Sequence, residues 1–267
     1  MSILQAIVLG VVQGISEFLP ISSSGHLILI PRLFGWEDQG VVFDVALHMA
    51  TLAAILYVFW PEVSRTGKAF VGDVKSEDAR LGWMIIIATV PAVLVGLFFG
   101  DAIEMSFRDP KVIAINLAFW GVVLAAADRF SVRREQRTLP MAGVKVTWRS
   151  ALSAGFAQAL ALIPGTSRSG ITITAGLFTG LDRVQAARFS FLLGIPAIAG
   201  AGALTFARAY AEQTPVEWLP TIVGFMAALV AGIVSIKWLL HILTKISYSW
   251  FAAYRILIAI LILILIV

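Results

Sequence analysis

Between Gln13 and His26 the stretch QGISEFLPISSSGH cuts into an N-terminal run that is otherwise apolar. It places a carboxylate (Glu17), a proline (Pro20), three consecutive hydroxyls (Ser22, Ser23, Ser24), a glycine (Gly25) and an imidazole (His26) side by side. The setting is a membrane: 59% of the 267 residues are hydrophobic and 13% are charged, against a charged share of about 25% in soluble domains. A broken, polar backbone lies at membrane depth only where protein or a cavity surrounds it. Ionisable groups there are costly and mark functional sites. The plain alternative is a kinked helix whose hydroxyls bond back to their own carbonyls, but it leaves Glu17 without a partner.

Several chemistries are excluded at once. The chain has no cysteine, which removes thiol catalysis, disulfides and thiolate metal sites. Its three histidines, His26, His48 and His241, are too dispersed for a histidine cage, so any metal is a hard cation on oxygen ligands. No basic stripe interleaved with aromatics points to nucleic acid. The first twenty residues lack the charged start of a signal peptide and carry Gln13 and Glu17 inside the apolar run, so they are expected to be retained.

Residues 1–35, broken at Pro20 and interrupted again at Pro31, read as a re-entrant hairpin. Spanning helices are expected at 41–60, 82–100 and 111–127. A charged loop with Arg65, Lys68, Lys75 and Arg80 follows the first. A linker from Arg129 to Arg149 containing Arg133, Arg134, Arg137 and Lys145 follows the third. Both are assigned to the cytoplasm by their positive charge.

The opening pattern then recurs over 150–180. Shifting the chain by 145 positions, the separation of Ser22 from Ser167, pairs Gly10 with Gly155, Gln13 with Gln158, Ser24 with Ser169, Gly25 with Gly170 and Gly35 with Gly180. Three spans lie between the copies, so the second is upside down relative to the first. Later spans are expected at 185–207, 217–240 and 249–267. The expected fold is an all-α polytopic membrane protein, an inverted-topology repeat of six spanning helices and two re-entrant helical hairpins. Its units are 1–127, a basic cytoplasmic linker at 128–149, and 150–267. The scheme puts Arg183, Arg188, Lys237 and Lys245 inside, and Arg32, Arg108, Lys111, Arg208 and both chain ends outside.

The second hairpin carries PGTSRSG, Pro164 to Gly170, in which Arg168 is the second costly intramembrane charge. If the hairpins meet, Glu17 and Arg168 share one cavity, either as a lock between the halves or as a site. Ser22 to Gly25 and Ser167 to Gly170 each follow a break and open a new helix. Helix N-termini carry unpaired N–H groups and a positive dipole end suited to phosphate, and arginine adds bidentate recognition. His26 follows Ser23 by three positions, a spacing that suits a hydroxyl nucleophile beside an imidazole base. Glu17 is left with three roles open: orienting His26, accepting a proton, or holding a divalent cation. His48 and Asp44 either line the mouth of the site or cap a helix start, the cap being favoured. Arg255 is expected to snorkel or pair structurally.

With these motifs in place, the chain resembles the undecaprenyl-diphosphate phosphatase family of bacteria, the bacitracin resistance proteins, over essentially its whole length. One family signature is matched by Gln13, Glu17, Pro20, Ser22, Ser23, Gly25 and His26, the other by Pro164, Gly165, Ser167, Arg168, Ser169, Gly170 and Thr172. The resemblance implies removal of the terminal phosphate of a C55 polyprenyl diphosphate, regenerating the lipid carrier for peptidoglycan. It implies a bacterial inner-membrane enzyme whose site opens to the periplasm, and it is compatible with a homodimer. It also implies a divalent cation, Mg2+ or Ca2+, with Glu17 as its ligand, although Gln13 stands where the family pattern also allows a carboxylate.

The expected site is therefore Glu17, Ser23, His26 and Arg168 at the reaction. Gln13, Ser22, Ser24, Gly25, Thr166, Ser167, Ser169, Gly170 and Thr172 are expected around the substrate. Ser23 helped by His26, or water, attacks phosphorus. The alternative is a polyprenyl-phosphate flippase, since many transporters hold anions between inverted repeats. A histidine-nucleophile lipid phosphatase is rejected, because SRSGITIT lacks the required histidine and aspartate.

Overall fold

The computed structural model of the chain describes residues 1–107, 109–135 and 146–265. Arg108, Arg137, Lys145 and the side chain of Arg134, all used in the charge count above, lie outside the described residues. Among the described residues there are eleven α-helices and no strand.

Five helices are long and apolar enough to cross a membrane: α3 (Val41–Val58), α5 (Glu77–Phe107), α6 (Pro110–Glu135), α9 (Arg183–Ala211) and α10 (Trp218–Ile242). The chain is a polytopic, all-helical membrane protein. The sixth expected span is α11 (Ser249–Leu265), apolar but for Ser249, Tyr254 and Arg255 and 17 residues long over its described range.

Two local expectations change. The segment read as a charged loop holds an amphipathic helix, α4 (Trp60–Val71), and α5 begins already at Glu77. Pro61 in the first turn of α4 costs no hydrogen bond, and Phe70 meets Trp83 of α5 edge-on at 5.3 Å. Pro31 does not interrupt its helix either: α2 runs over Ser23–Phe34 with the proline inside. A proline cannot donate to the carbonyl four residues back, and the Leu27 carbonyl is instead met by Gln39 Nε2 at 3.3 Å.

The two polar stretches fold alike. α1 (Ile3–Ser16) and α2 correspond to α7 (Trp148–Leu160) and α8 (Arg168–Thr179), helix for helix. Each second helix opens from a serine with left-handed backbone, Ser22 at φ 76° and Ser167 at φ 72°. Each closes on a left-handed glycine, Gly35 or Gly180. The packing corresponds as well: α1 lies on α10 and α7 on α5. Gly10 and Gly155 bring the backbones together, since a Cβ would stand 2.4 Å from the Gly224 oxygen in one case and 2.3 Å from the Ala88 oxygen in the other. Small residues at such crossings are how membrane helices approach closely.

The ends of the bundle are tied by ion pairs. At one end Arg183 Nη2 donates to Asp128 Oδ2 at 2.8 Å, Ser247 donates to the same carboxylate, and Arg188 pairs with Glu62. At the other the N-terminus meets Glu217 at 3.1 Å and Arg208 meets Asp101 at 2.8 Å.

Candidate active site

Both helix breaks converge on one carboxylate. Glu17 caps α1 and is 5% exposed. Arg168, the first residue of α8, donates through Nη2 to Glu17 Oε1 at 2.7 Å and through Nη1 to the Ser190 carbonyl at 2.9 Å. Ser23, the first residue of α2, donates to Glu17 Oε2 at 2.7 Å, and Gln13 Nε2 reaches the same oxygen at 3.2 Å. The carboxylate is thus held by the guanidinium from the other half of the chain that the sequence set in the same cavity, and by the hydroxyl beside it.

Arg168 fits because α9 presents a glycine, Gly194, against its guanidinium. A Cβ on Gly194 would stand 2.3 Å from Arg168 Nη1. Around this pair Ser23 and Arg168 are half-buried and Ser24 is exposed. By helix geometry the first N–H groups of α2 lack intrahelical partners. An oxyanion approaching here meets a guanidinium, free helix-end amides and a hydroxyl already bonded to a base.

His26 is placed differently from the spacing argument. Its Nδ1 lies 2.7 Å from the Ser22 carbonyl and its Nε2 lies 2.8 Å from the Tyr254 hydroxyl. Both ring nitrogens are engaged away from Ser23, so the hydroxyl's acceptor is Glu17. The imidazole that does face the carboxylate is His48, whose Nε2 is 3.7 Å from Glu17 Oε2. Its Nδ1 lies 2.8 Å from the Asp44 carbonyl. His48 lies well inside α3, which starts from Gly40, so it lines the site and does not cap the helix. The polar pair Asp44 and His48 on an apolar span was the sequence signal for it.

The remaining expected residues lie behind this surface. Ser22, Ser167, Ser169 and Thr172 are buried. Ser169 donates to the Leu19 carbonyl at 3.1 Å, Thr172 meets Ser190 Oγ at 2.7 Å, and Gly170 N–H donates to Ser167 Oγ at 3.1 Å. Gly25 is buried at the start of α2, and Thr166 Oγ1 is buried without a hydrogen-bond partner. These groups shape the breaks that present Ser23 and Arg168.

Arg255 does not snorkel. It is fully buried, and its guanidinium donates to the Leu117, Pro20, Gly165 and Thr166 carbonyls at 2.9–3.3 Å. Pro20 belongs to the first break, Gly165 and Thr166 to the second. One side chain on α11 therefore fastens both breaks to each other.

Residues 6–261 match the family described as Bacitracin resistance protein BacA. The chain belongs to that family. A relative named Undecaprenyl-diphosphatase from Moorella thermoacetica is 47% identical over 264 residues, spanning 98% of this chain and 97% of its own. Another of the same name from Idiomarina loihiensis is 43% identical over 267 residues, 97% of each chain. Undecaprenyl-diphosphatase 2 of Stutzerimonas stutzeri is 43% identical over 269 residues, 99% of this chain and 98% of its own. Full-length coverage at these identities places both polar hairpins within the shared fold of the family.

Proposed function

We propose that this family member is an integral membrane phosphatase that hydrolyses undecaprenyl diphosphate to undecaprenyl phosphate and inorganic phosphate, recycling the envelope lipid carrier and conferring bacitracin resistance. The observation that carries the reading is the contact of Arg168 and Ser23 with the two oxygens of Glu17. It assembles an anion clamp, a nucleophile and a base from the two signature segments.

In the proposed reaction Arg168 and the opening amides of α2 hold the diphosphate. Ser23 Oγ forms a bond to the terminal phosphorus while its proton passes to Glu17. The bond from phosphorus to the bridging oxygen breaks, and the lipid monophosphate leaves with its new charge on the Arg168 side. Water then attacks the phosphoserine, releasing inorganic phosphate and restoring the hydroxyl. Trapping phosphate on Ser23 distinguishes this route from direct attack by water.

Among the described residues no group of three or more acidic or histidine side chains forms a metal cage. Glu17 and the buried, unpartnered Oε1 of Gln13 are the oxygens that would hold a divalent cation, Mg2+ or Ca2+, which would supply charge neutralisation on phosphate oxygens.

The two breaks belong to two inverted repeats, 1–127 and 150–267, with the basic ends of the bundle in the cytoplasm and the site opening outward from a bacterial inner membrane. The helix-for-helix correspondence and the clustering of Arg183 and Arg188 opposite Arg208 support this arrangement.

The test is phosphate release from a polyprenyl diphosphate by the purified protein in detergent, beside Arg168→Ala and Ser23→Ala variants that elute as the parent does. Release lost in both is expected. No release from folded parent protein, with or without divalent cation, overturns the phosphatase and favours the flippase.

A further inference from the structure

The proposed reaction leaves His26 without a task, although its ring is the most fully constrained imidazole of the chain. We propose that Tyr254 is a positioning residue: it fixes the tautomer of His26, which in turn holds the Ser22 carbonyl and thereby aims Ser23 at Glu17. The inference rests on Ser23 being the nucleophile, as argued above.

The chemistry of the partners decides the direction of each bond. A carbonyl oxygen only accepts, so at 2.7 Å from the Ser22 oxygen Nδ1 must carry a proton and donate it. In the neutral ring Nε2 is then the acceptor, and the Tyr254 hydroxyl at 2.8 Å donates to it. The ring planes are 7° from parallel. Without the hydroxyl only the Ser22 carbonyl favours this tautomer, and nothing at Nε2 opposes the other, which sets a lone pair against that carbonyl.

Ser22 needs that hold. It is a non-glycine residue at φ 76° and caps α2 with no side-chain cap bond of its own, a conformation that costs of order 1–3 kcal/mol and persists only when its surroundings impose it. Its counterpart Ser167 has a cap, since its hydroxyl accepts from the Gly170 amide at 3.1 Å. At the first break no hydroxyl does so; the imidazole instead holds the Ser22 carbonyl, and the next residue in the chain is Ser23.

Tyr254 is itself held in place. Its neighbour Arg255 is committed to four backbone carbonyls of three segments, which sets the rotation of α11. Tyr254 is 37% exposed at the side of the bundle, so the phenol seals His26 from the lipid-facing surface without being part of the buried core.

The test is steady-state phosphate release by the full chain and its Tyr254→Phe, His26→Ala and doubly substituted variants, with 15N spectra of the imidazoles. The His26→Ala spectrum assigns the His26 signal among three histidines. Tyr254→Phe keeps the ring and its packing. It is expected to lower kcat about tenfold, the worth of one hydrogen bond, with KM within about twofold. The His26 signal is expected to change from a single tautomer protonated on Nδ1 to a mixture. In the His26→Ala background the same change is expected to have no further effect. A parental kcat and an unchanged His26 signal in Tyr254→Phe overturn the proposal, as do losses that multiply in the double variant. Failure of the underlying reading looks different: Ser23→Ala would keep its activity whatever Tyr254 does.

Discussion

At the residue scale the site is one carboxylate with both oxygens spoken for. Glu17→Gln keeps the shape and removes the proton acceptor of Ser23, so phosphate release is expected to fall roughly a hundredfold or more. Replacement with unaltered turnover would show that Ser23 is not activated through Glu17. Gly194 is the less obvious case. Gly194→Ala drives a methyl to within 2.3 Å of the present Arg168 Nη1 position and must displace the guanidinium. Misplacing a clamp by about 1 Å costs on the order of a hundredfold, and that loss is expected in kcat/KM. Gly200 lies on the same helix, has nothing within 4 Å of where a Cβ would stand, and is the control: Gly200→Ala should leave kcat/KM unchanged.

At the element scale the two short helices α2 and α8 are aimed by their breaks, and the breaks by Arg255. Hydrogen bonds from a charged donor are worth about 1.5–3 kcal/mol each, and a fully buried guanidinium in contact with four carbonyls makes several. Arg255→Met leaves those carbonyls unpaired, and the expected result is loss of folded protein in detergent. Arg255→Lys retains the charge without the planar fork. It is expected to fold with a lowered melting temperature and to lose activity more steeply than stability, because both breaks shift together. Equal melting temperatures for Arg255→Lys and the parent would separate α11 from the positioning of the breaks.

At the scale of the whole molecule the proposed orientation puts the end that carries Arg183 and Arg188 in the cytoplasm and the end that carries Arg208 outside. The absence of cysteine makes this directly measurable. Lys75→Cys and Lys245→Cys are expected to resist an impermeant thiol reagent in intact cells and to react after lysis. Glu37→Cys and Glu212→Cys are expected to react in intact cells. All four residues are exposed in the fold. Labelling of Lys75→Cys and Glu37→Cys from the same side would break the topology.

Much was legible in the sequence because it depends on cost. Glu17 and Arg168 inside apolar runs had to find partners, and each is the other's partner. The recurrence of Gln13, Ser22, Ser24 and Gly25 at Gln158, Ser167, Ser169 and Gly170 carried over into matching helix breaks. Spacing along the chain was a poorer guide to orientation. Ser23 and His26 are three apart, yet the left-handed turn at Ser22 sends the hydroxyl to Glu17 while the ring bonds back to the Ser22 carbonyl and across to Tyr254. The roles of His48, Gly194, Tyr254 and the buried Arg255 arise from contacts between helices far apart in the chain, which composition and periodicity do not encode. The sequence by itself determined which polar groups must be enclosed, because leaving them in lipid is too costly. The tertiary structure alone decided which atoms meet, because donors and acceptors pair by distance and direction, and those exist only once the helices have packed.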